Sequence, residues 1–152
     1  MSIYLTGASG FVGTNLNTYF VNQWEIRNHE RNSEIEINED TVIHLAGKAH
    51  DLKNVTSSNN YYEINTEFTK QIFDAFMTSD AKVFITLSSV KAVADEVDGM
   101  LTEEDIPSPI THYGKSKLLA EQYILSKDIP EGKRAYILRP CMIHGVGNKG
   151  NL

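Results

Sequence analysis

The sequence predicts an α/β fold, a doubly wound and mainly parallel sheet. Three observations carry that expectation: short apolar runs alternate with stretches of helical periodicity, the first run breaks into a glycine-rich loop, and no repeat or linker divides the 152 residues. Strands separated by helices are expected to run parallel, because parallel neighbours need long crossover connections. A chain of this length buries roughly two thirds of its unfolded surface, so its core needs neither disulfide nor metal.

Ile3-Tyr4-Leu5 is the first strand, ending at Gly7, and Phe11, Val12, Leu16, Tyr19 and Phe20 recur at helical spacing over 11–21. Trp24 and Ile26 alternate with polar residues as a second strand, and Thr41 to Leu45 forms another before Ala46-Gly47. Between them 28–40 is polar and short. Glu34 to Ile37 has the character of a strand, but no room is left for a crossover helix, so the sheet is expected to lack one there. Tyr61 to Met77 is a predicted helix with Ile64, Phe68, Ile72, Phe73 and Phe76 on one face, and Lys82 to Leu87 is a strand. After Pro107 and Pro109, His112 to Lys127 is helical and Ala135 to Leu138 is a strand stopped by Pro140.

Composition narrows the partners. A formal charge of −6 with scattered basic residues lacks the footprint of a nucleic-acid binder. No apolar run is long enough for a membrane span, and Ser2-Ile3-Tyr4-Leu5 does not resemble a secretory leader, so a soluble cytoplasmic protein is expected. Cys141 stands alone in an apolar stretch, which suggests a reducing compartment and a packing role. His44 and His50 are six apart on strand and loop, a spacing that offers no metal site.

Thr6-Gly7-Ala8-Ser9-Gly10-Phe11-Val12-Gly13 carries chemistry because it lies between a strand and a helix. Gly7 permits a tight turn, Gly10 lets backbone approach a pyrophosphate, and Gly13 lets the helix pack on the strand. The helix N-terminus then faces the phosphates with its free N–H groups and positive dipole end.

Tyr113 and Lys117 lie four apart on a predicted helix, hence on one face. A phenol titrates near ~10, and a neighbouring ammonium is expected to pull it down toward use as a base. Tyr123 and Lys127 repeat the spacing about 15 Å along the same axis and roughly 80° around it, so both pairs cannot serve one ligand. Tyr113 follows the loop leaving the strand end at Leu87, where ligands of such sheets bind. Tyr123 is expected to pack on the sheet.

Together these residues resemble the extended short-chain dehydrogenase/reductase family, in its NAD-dependent epimerase/dehydratase branch acting on nucleotide sugars. The likeness rests on Thr6 to Gly13, His44-Leu45-Ala46-Gly47, Asn65-Thr66, Ser88-Ser89, Tyr113 to Lys117 and Arg139-Pro140, in the family's order. It implies a Rossmann domain over residues 1–152, followed in the family by a smaller substrate domain absent from this chain. It implies NAD or NADP held by Gly7, Ser9, Gly10, Phe11, Val12, Gly13, Leu45, Ala46, Gly47, Asn65, Lys117 and Pro140. Tyr113 would be the general acid/base, Lys117 would bind the nicotinamide ribose, and Ser89, with Ser88 as the alternative, would orient the sugar hydroxyl. Asn151 would approach the substrate diphosphate.

Sugar dehydratases of the family carry an Asp-Glu pair after the catalytic threonine, where this chain has Val90-Lys91, so elimination of water is disfavoured. The resemblance then implies a UDP-hexose or UDP-hexosamine 4-epimerase, with a 4-keto-6-deoxyhexosamine reductase as the alternative and homodimerisation near Tyr61 and Tyr113. A non-catalytic dinucleotide sensor is the reading of another class. At the adenosine end, Arg27 and Arg31 point to NADP while Glu30 allows NAD.

Overall fold

The computed structural model describes residues 1–49 and 58–147. Five strands, β1 (Ser2–Thr6), β2 (Glu25–Asn28), β3 (Thr41–His44), β4 (Val83–Leu87) and β5 (Arg134–Leu138), form one sheet in the order β2-β1-β3-β4-β5. All four pairings are parallel. The register pairs Leu5 with Asn28, Thr6 with His44, His44 with Thr86 and Leu87 with Leu138, so the carboxyl ends lie along one edge.

The alternation of β1 sets the two layers. Ile3 and Leu5 join Ile43 on one face, packed by Ala8 of the glycine loop, Leu16 of helix α1 (Phe11–Phe20), Trp24 and Ile26. Tyr4 points the other way, into a core with Val42, Phe84 and the residues Ile72, Phe73 and Phe76 of helix α3 (Phe68–Thr78), closed by Ile124 of helix α4 (His112–Leu125). Each large apolar side chain so buried contributes about 1.5–3 kcal/mol. The sheet is therefore covered on both faces, as its sequence pattern predicts.

The connection from β2 to β3 crosses β1 with no helix, as expected, over residues 29–40. The strand expected at Glu34 to Ile37 does not form. Ile37 is buried and Ile35 packs beside it against the Tyr4 face of the core, so the segment lies over the sheet instead of pairing at the β2 edge. Arg27 anchors it: Nε donates to Glu39 Oε1 at 2.5 Å, Nη2 donates to Glu39 Oε2 at 2.9 Å and to the Glu36 carbonyl, and the guanidinium lies 4.6 Å from the Tyr4 ring centre.

The helix expected over 61–77 runs from α2 (Asn59–Tyr61) through a π-helical stretch, Tyr62–Glu67, into α3. A π turn carries an extra residue. With that local register Ile64 is turned out, 37% exposed, and Asn65 is fully buried in place of the expected apolar contact. Helix α4 stops at Leu125 because Pro130 and the polar turn before it cannot continue the ladder, and the Ser126 hydroxyl donates to the Tyr123 carbonyl. Cys141 is exposed rather than packed, because it follows the edge strand β5 into a loop. Among the described residues no helix is long and apolar enough to cross a membrane, and no group of three metal-ligating side chains occurs. His50 and Asn151 lie outside the described residues.

Candidate active site at the carboxyl edge of the sheet

Four turns leave the carboxyl edge of the sheet: Gly7 to Gly10 after β1, Leu45 to Gly47 after β3, Ser88-Ser89 after β4 and Arg139-Pro140 after β5. Gly7 has φ +73°, and a Cβ there would stand 2.5 Å from Ala46 N, so side-chain-free backbone is required where the first two turns abut. A Cβ on Gly13 would overlap the Gly7 carbonyl, which is the close helix–strand approach expected. Gly10 N donates to Gly7 O at 3.0 Å, and Gly10 supplies no side-chain cap to α1. The first N–H groups of α1 are thus left for an exogenous acceptor, with no acidic residue in the first turn to oppose an anion.

Leu45 N donates to the Thr6 carbonyl at 3.1 Å and Ala46 N to Thr6 Oγ1 at 3.2 Å. The same hydroxyl bonds His44 Nδ1 at 2.7 Å, while His44 Nε2 bonds Thr69 Oγ1 at 2.9 Å. Burial, assisted by the charges of Lys117 and His29, pushes this imidazole down to about 3. His44 is a neutral strut.

Asn65 fixes the next turn: its Oδ1 accepts from Lys48 N at 2.8 Å, and its Nδ2 donates to the Lys48 carbonyl at 3.0 Å and to Ser116 Oγ at 2.9 Å. The π turn is what aims it inward. A Cβ on Gly47 would come within 3.1 Å of Lys117 Nζ and 3.3 Å of Asn65 Oδ1, so Gly47, Asn65 and Lys117 converge.

Helix α4 begins at Thr111, whose hydroxyl accepts from Gly114 N at 3.1 Å. Asp95 holds this start by accepting from Ile110 N, Thr111 N and Thr111 Oγ1 at 2.6, 3.0 and 2.8 Å. Gly114 then packs so closely on the Lys91 carbonyl that a Cβ would overlap it. The result places Tyr113 near Ser89, whose hydroxyl favours the phenolate, while Lys117 Nζ donates to the Leu87 carbonyl at 2.8 Å.

Ser88, the alternative, points away and donates to the Glu121 carboxylate. The geometry therefore separates two serines that the sequence left together. The expectation for Tyr113 is corrected: burial pushes its phenol above the ordinary value, with the Ser89 bond acting against it. Burial also pushes the Lys117 ammonium down to about 8, against the pull of Glu121.

At the adenosine end, Arg27 is engaged by Glu39, so the structure does not leave its charge available as expected, whereas Arg31 is exposed. Phe11 and Val12 sit at the first turn of α1, Ser9 is exposed in the loop, and Pro140 follows Arg139 beside β4, its carbonyl accepting from Val90 N at 3.3 Å. Sequence reasoning passed over Glu121 and Asp95. The signal for Glu121 was its place four residues after Lys117 on the same helical stripe.

Known proteins resemble this chain in sequence and fold. Residues 24–151 match the model of the NAD dependent epimerase/dehydratase family. The chain is 30% identical to a UDP-glucose 4-epimerase of Vibrio cholerae, covering 99% of this chain and 54% of that protein. It is 29% identical to an N-acetyl-alpha-D-glucosaminyl-diphospho-ditrans,octacis-undecaprenol 4-epimerase of Escherichia coli O157:H7, over 99% and 51%. Among solved structures, RMD from Pseudomonas aeruginosa complexed with NADPH superposes with a TM-score of 0.79 at 27% identity, over 98% of this chain and 57% of that one. The chain thus spans about half the length of these relatives. Matched over residues 24–151, the chain belongs to the NAD dependent epimerase/dehydratase family.

Proposed function

We propose that this domain is the dinucleotide-binding half of a nucleotide-sugar 4-epimerase, and that Ser89, Tyr113 and Lys117 carry its chemistry. The observation that carries the reading is the placement of Ser89, Tyr113 and the buried Lys117, whose Nζ donates to the Leu87 carbonyl, at the sheet edge where the glycine loop also opens. The bare cradle of Gly7, Gly10 and Gly13 and the uncapped start of α1 fit the pyrophosphate of NAD or NADP. A bound nicotinamide supplies the hydride acceptor and donor.

Tyr113 Oη takes the proton of the sugar C4 hydroxyl as that carbon is oxidised, and returns it when the ketone is reduced on its other face. Ser89 holds the same oxygen in line, and Lys117, held by the Leu87 carbonyl, would bind the nicotinamide ribose. Gly47, Asn65 and Pro140 line the approach, with Leu45 and Ala46 along the glycine loop. UDP-sugars are the substrate class, because the Vibrio cholerae relative is a UDP-glucose 4-epimerase. Self-association near Tyr61 and Tyr113 and a cytoplasmic location belong to the same reading.

Reduction of a 4-keto sugar is the second reading, supported by the likeness to a structure complexed with NADPH and by the exposed Arg31 at the adenosine end. Calorimetric titration of the 152-residue chain with NADH and NADPH separates the two. A clear preference for NADPH selects the reductase, a preference for NADH the epimerase, and binding of neither removes the proposal. In a protein of the relatives' length, Tyr113→Phe distinguishes an enzyme from a dinucleotide sensor, since only the enzyme loses turnover.

A further inference from the structure

Glu121 is 2% exposed and sits one turn beyond Lys117 on the buried face of α4. A carboxylate taken out of water persists only if its oxygens are satisfied, and these are. Ser88 Oγ donates to Oε1. Arg139 Nε donates to Oε1 at 3.0 Å and to Oε2 at 3.1 Å, and its Nη2 donates to Oε2 at 2.5 Å. The three partners belong to α4, to the turn after β4 and to the turn after β5. Each segment also carries a group of the proposed site: Tyr113 and Lys117 on α4, Ser89 next to Ser88, and Pro140 next to Arg139.

Stability alone gives no reason for this choice, because a buried ion pair can often be replaced by well-packed apolar residues without loss. An apolar cluster, however, could neither accept the Ser88 hydrogen bond nor set a negative charge beneath Lys117. We infer that Glu121 is a positioning residue: through Ser88 and Arg139 it fixes the ends of β4 and β5 against α4, and it sets the charge beneath Lys117. The inference rests on the roles proposed above for Ser89, Tyr113 and Lys117.

Lys117 is faced by Glu121 from its own helix, by the Leu87 carbonyl from β4 and by neutral His44 from β3. Glu121 is faced by Ser88 and Arg139, and Glu103 acts on Arg139 from the loop before α4. Of these, Glu121 is the group that favours the charged lysine.

The test titrates the 152-residue chain carrying a carbon-13 label at lysine Cε, with the Lys117 signal assigned by Lys117→Arg. Glu121→Gln leaves the Arg139 charge stranded, so Glu121→Gln/Arg139→Gln is measured beside it. In the double variant the Lys117 midpoint is expected to fall by roughly one pH unit or more, with Lys127 unmoved, and NADH affinity near pH 8 to weaken roughly fivefold or more. A Lys117 midpoint that stays put overturns the inference. So does one that returns to the ordinary lysine range with loss of structure, since the pair then only holds the fold. A wild-type chain that binds no NADH removes the dinucleotide reading on that arm alone, and the Lys117 midpoint still decides the role of Glu121.

Discussion

Tyr113 and Lys117 lie within helix α4, whereas Tyr123 lies in its last turn and Lys127 two residues beyond it, and the tertiary structure gives the two equally spaced pairs opposite surroundings. Tyr113 and Lys117 face the carboxyl edge of the sheet, where the phenol meets Ser89 and the ammonium is buried against the Leu87 carbonyl. Tyr123 and Lys127 lie at the far end of the helix. Tyr123 packs its ring against the core, as expected, while its hydroxyl donates to both oxygens of Asp74 on α3 at 2.7 Å and Lys127 stands 4.3 Å from its ring centre. That pair stitches two helices together in contact with solvent. Burial pushes Lys117 down to about 8, whereas the hydrogen bond with Tyr123 pushes Lys127 up. Spacing puts a phenol and an ammonium on one face, and depth decides whether they can do proton chemistry.

The sharpest way to break the comparison is to remove each phenol in turn. In a protein of the relatives' length, Tyr113→Phe is expected to lower kcat by about a hundredfold or more, while Tyr123→Phe leaves it within about twofold; steady-state rates check both. Equal losses would mean that the edge of the sheet is not where the chemistry lies.

The lysines should separate next, in stability against pH. Lys117 has a folded value near 8 below its unfolded 10.5, so the unfolded chain binds more protons between those values, and stability rises with pH across that window. The slope is at most ~1.4 kcal/mol per pH unit. Urea unfolding at a series of pH values should show this rise in the wild type, lose it in Lys117→Met and retain it in Lys127→Met.

Backbone approach is the third contrast. The residue after Tyr113 is Gly114, jammed against the Lys91 carbonyl and 2.9 Å from Pro109 Cβ by its ideal Cβ position, whereas the residue after Tyr123 is the core residue Ile124. Gly114→Ala is expected to destabilise by about 1–3 kcal/mol in thermal unfolding, by pushing α4 off the turn that bears Ser89. Smallest is Asp74→Asn. Both the Tyr123–Asp74 bond and the Lys127–Asp74 pair at 3.9 Å are exposed, so denaturant unfolding should register less than about 1 kcal/mol.

Much of the site was legible because its parts are local. Gly7, Gly10 and Gly13 declare a turn that only backbone can make, and the strand ends at Thr6, His44, Leu87 and Leu138 follow from apolar runs that stop. The missing helix between β2 and β3 could be read from the shortness of that connection. Other features needed partners distant in sequence. Ile35 and Ile37 alternate as a strand would, yet they pack into the core over Tyr4 instead of extending the sheet at its β2 edge. The π turn that exposes Ile64 and buries Asn65 has no signature in the spacing of apolar residues.

The sequence by itself determined the fold class, the glycine cradle and the short list of groups able to move a proton, because each rests on periodicity, on steric freedom or on side-chain chemistry within one segment. The tertiary structure decided which tyrosine is buried, which serine meets it, that Arg27 is engaged by Glu39, and that Glu121 joins Ser88 and Arg139 beneath Lys117. Those outcomes depend on dielectric depth and on contacts between residues up to 33 apart, such as Ser88 and Glu121, and neither quantity exists until the sheet has assembled.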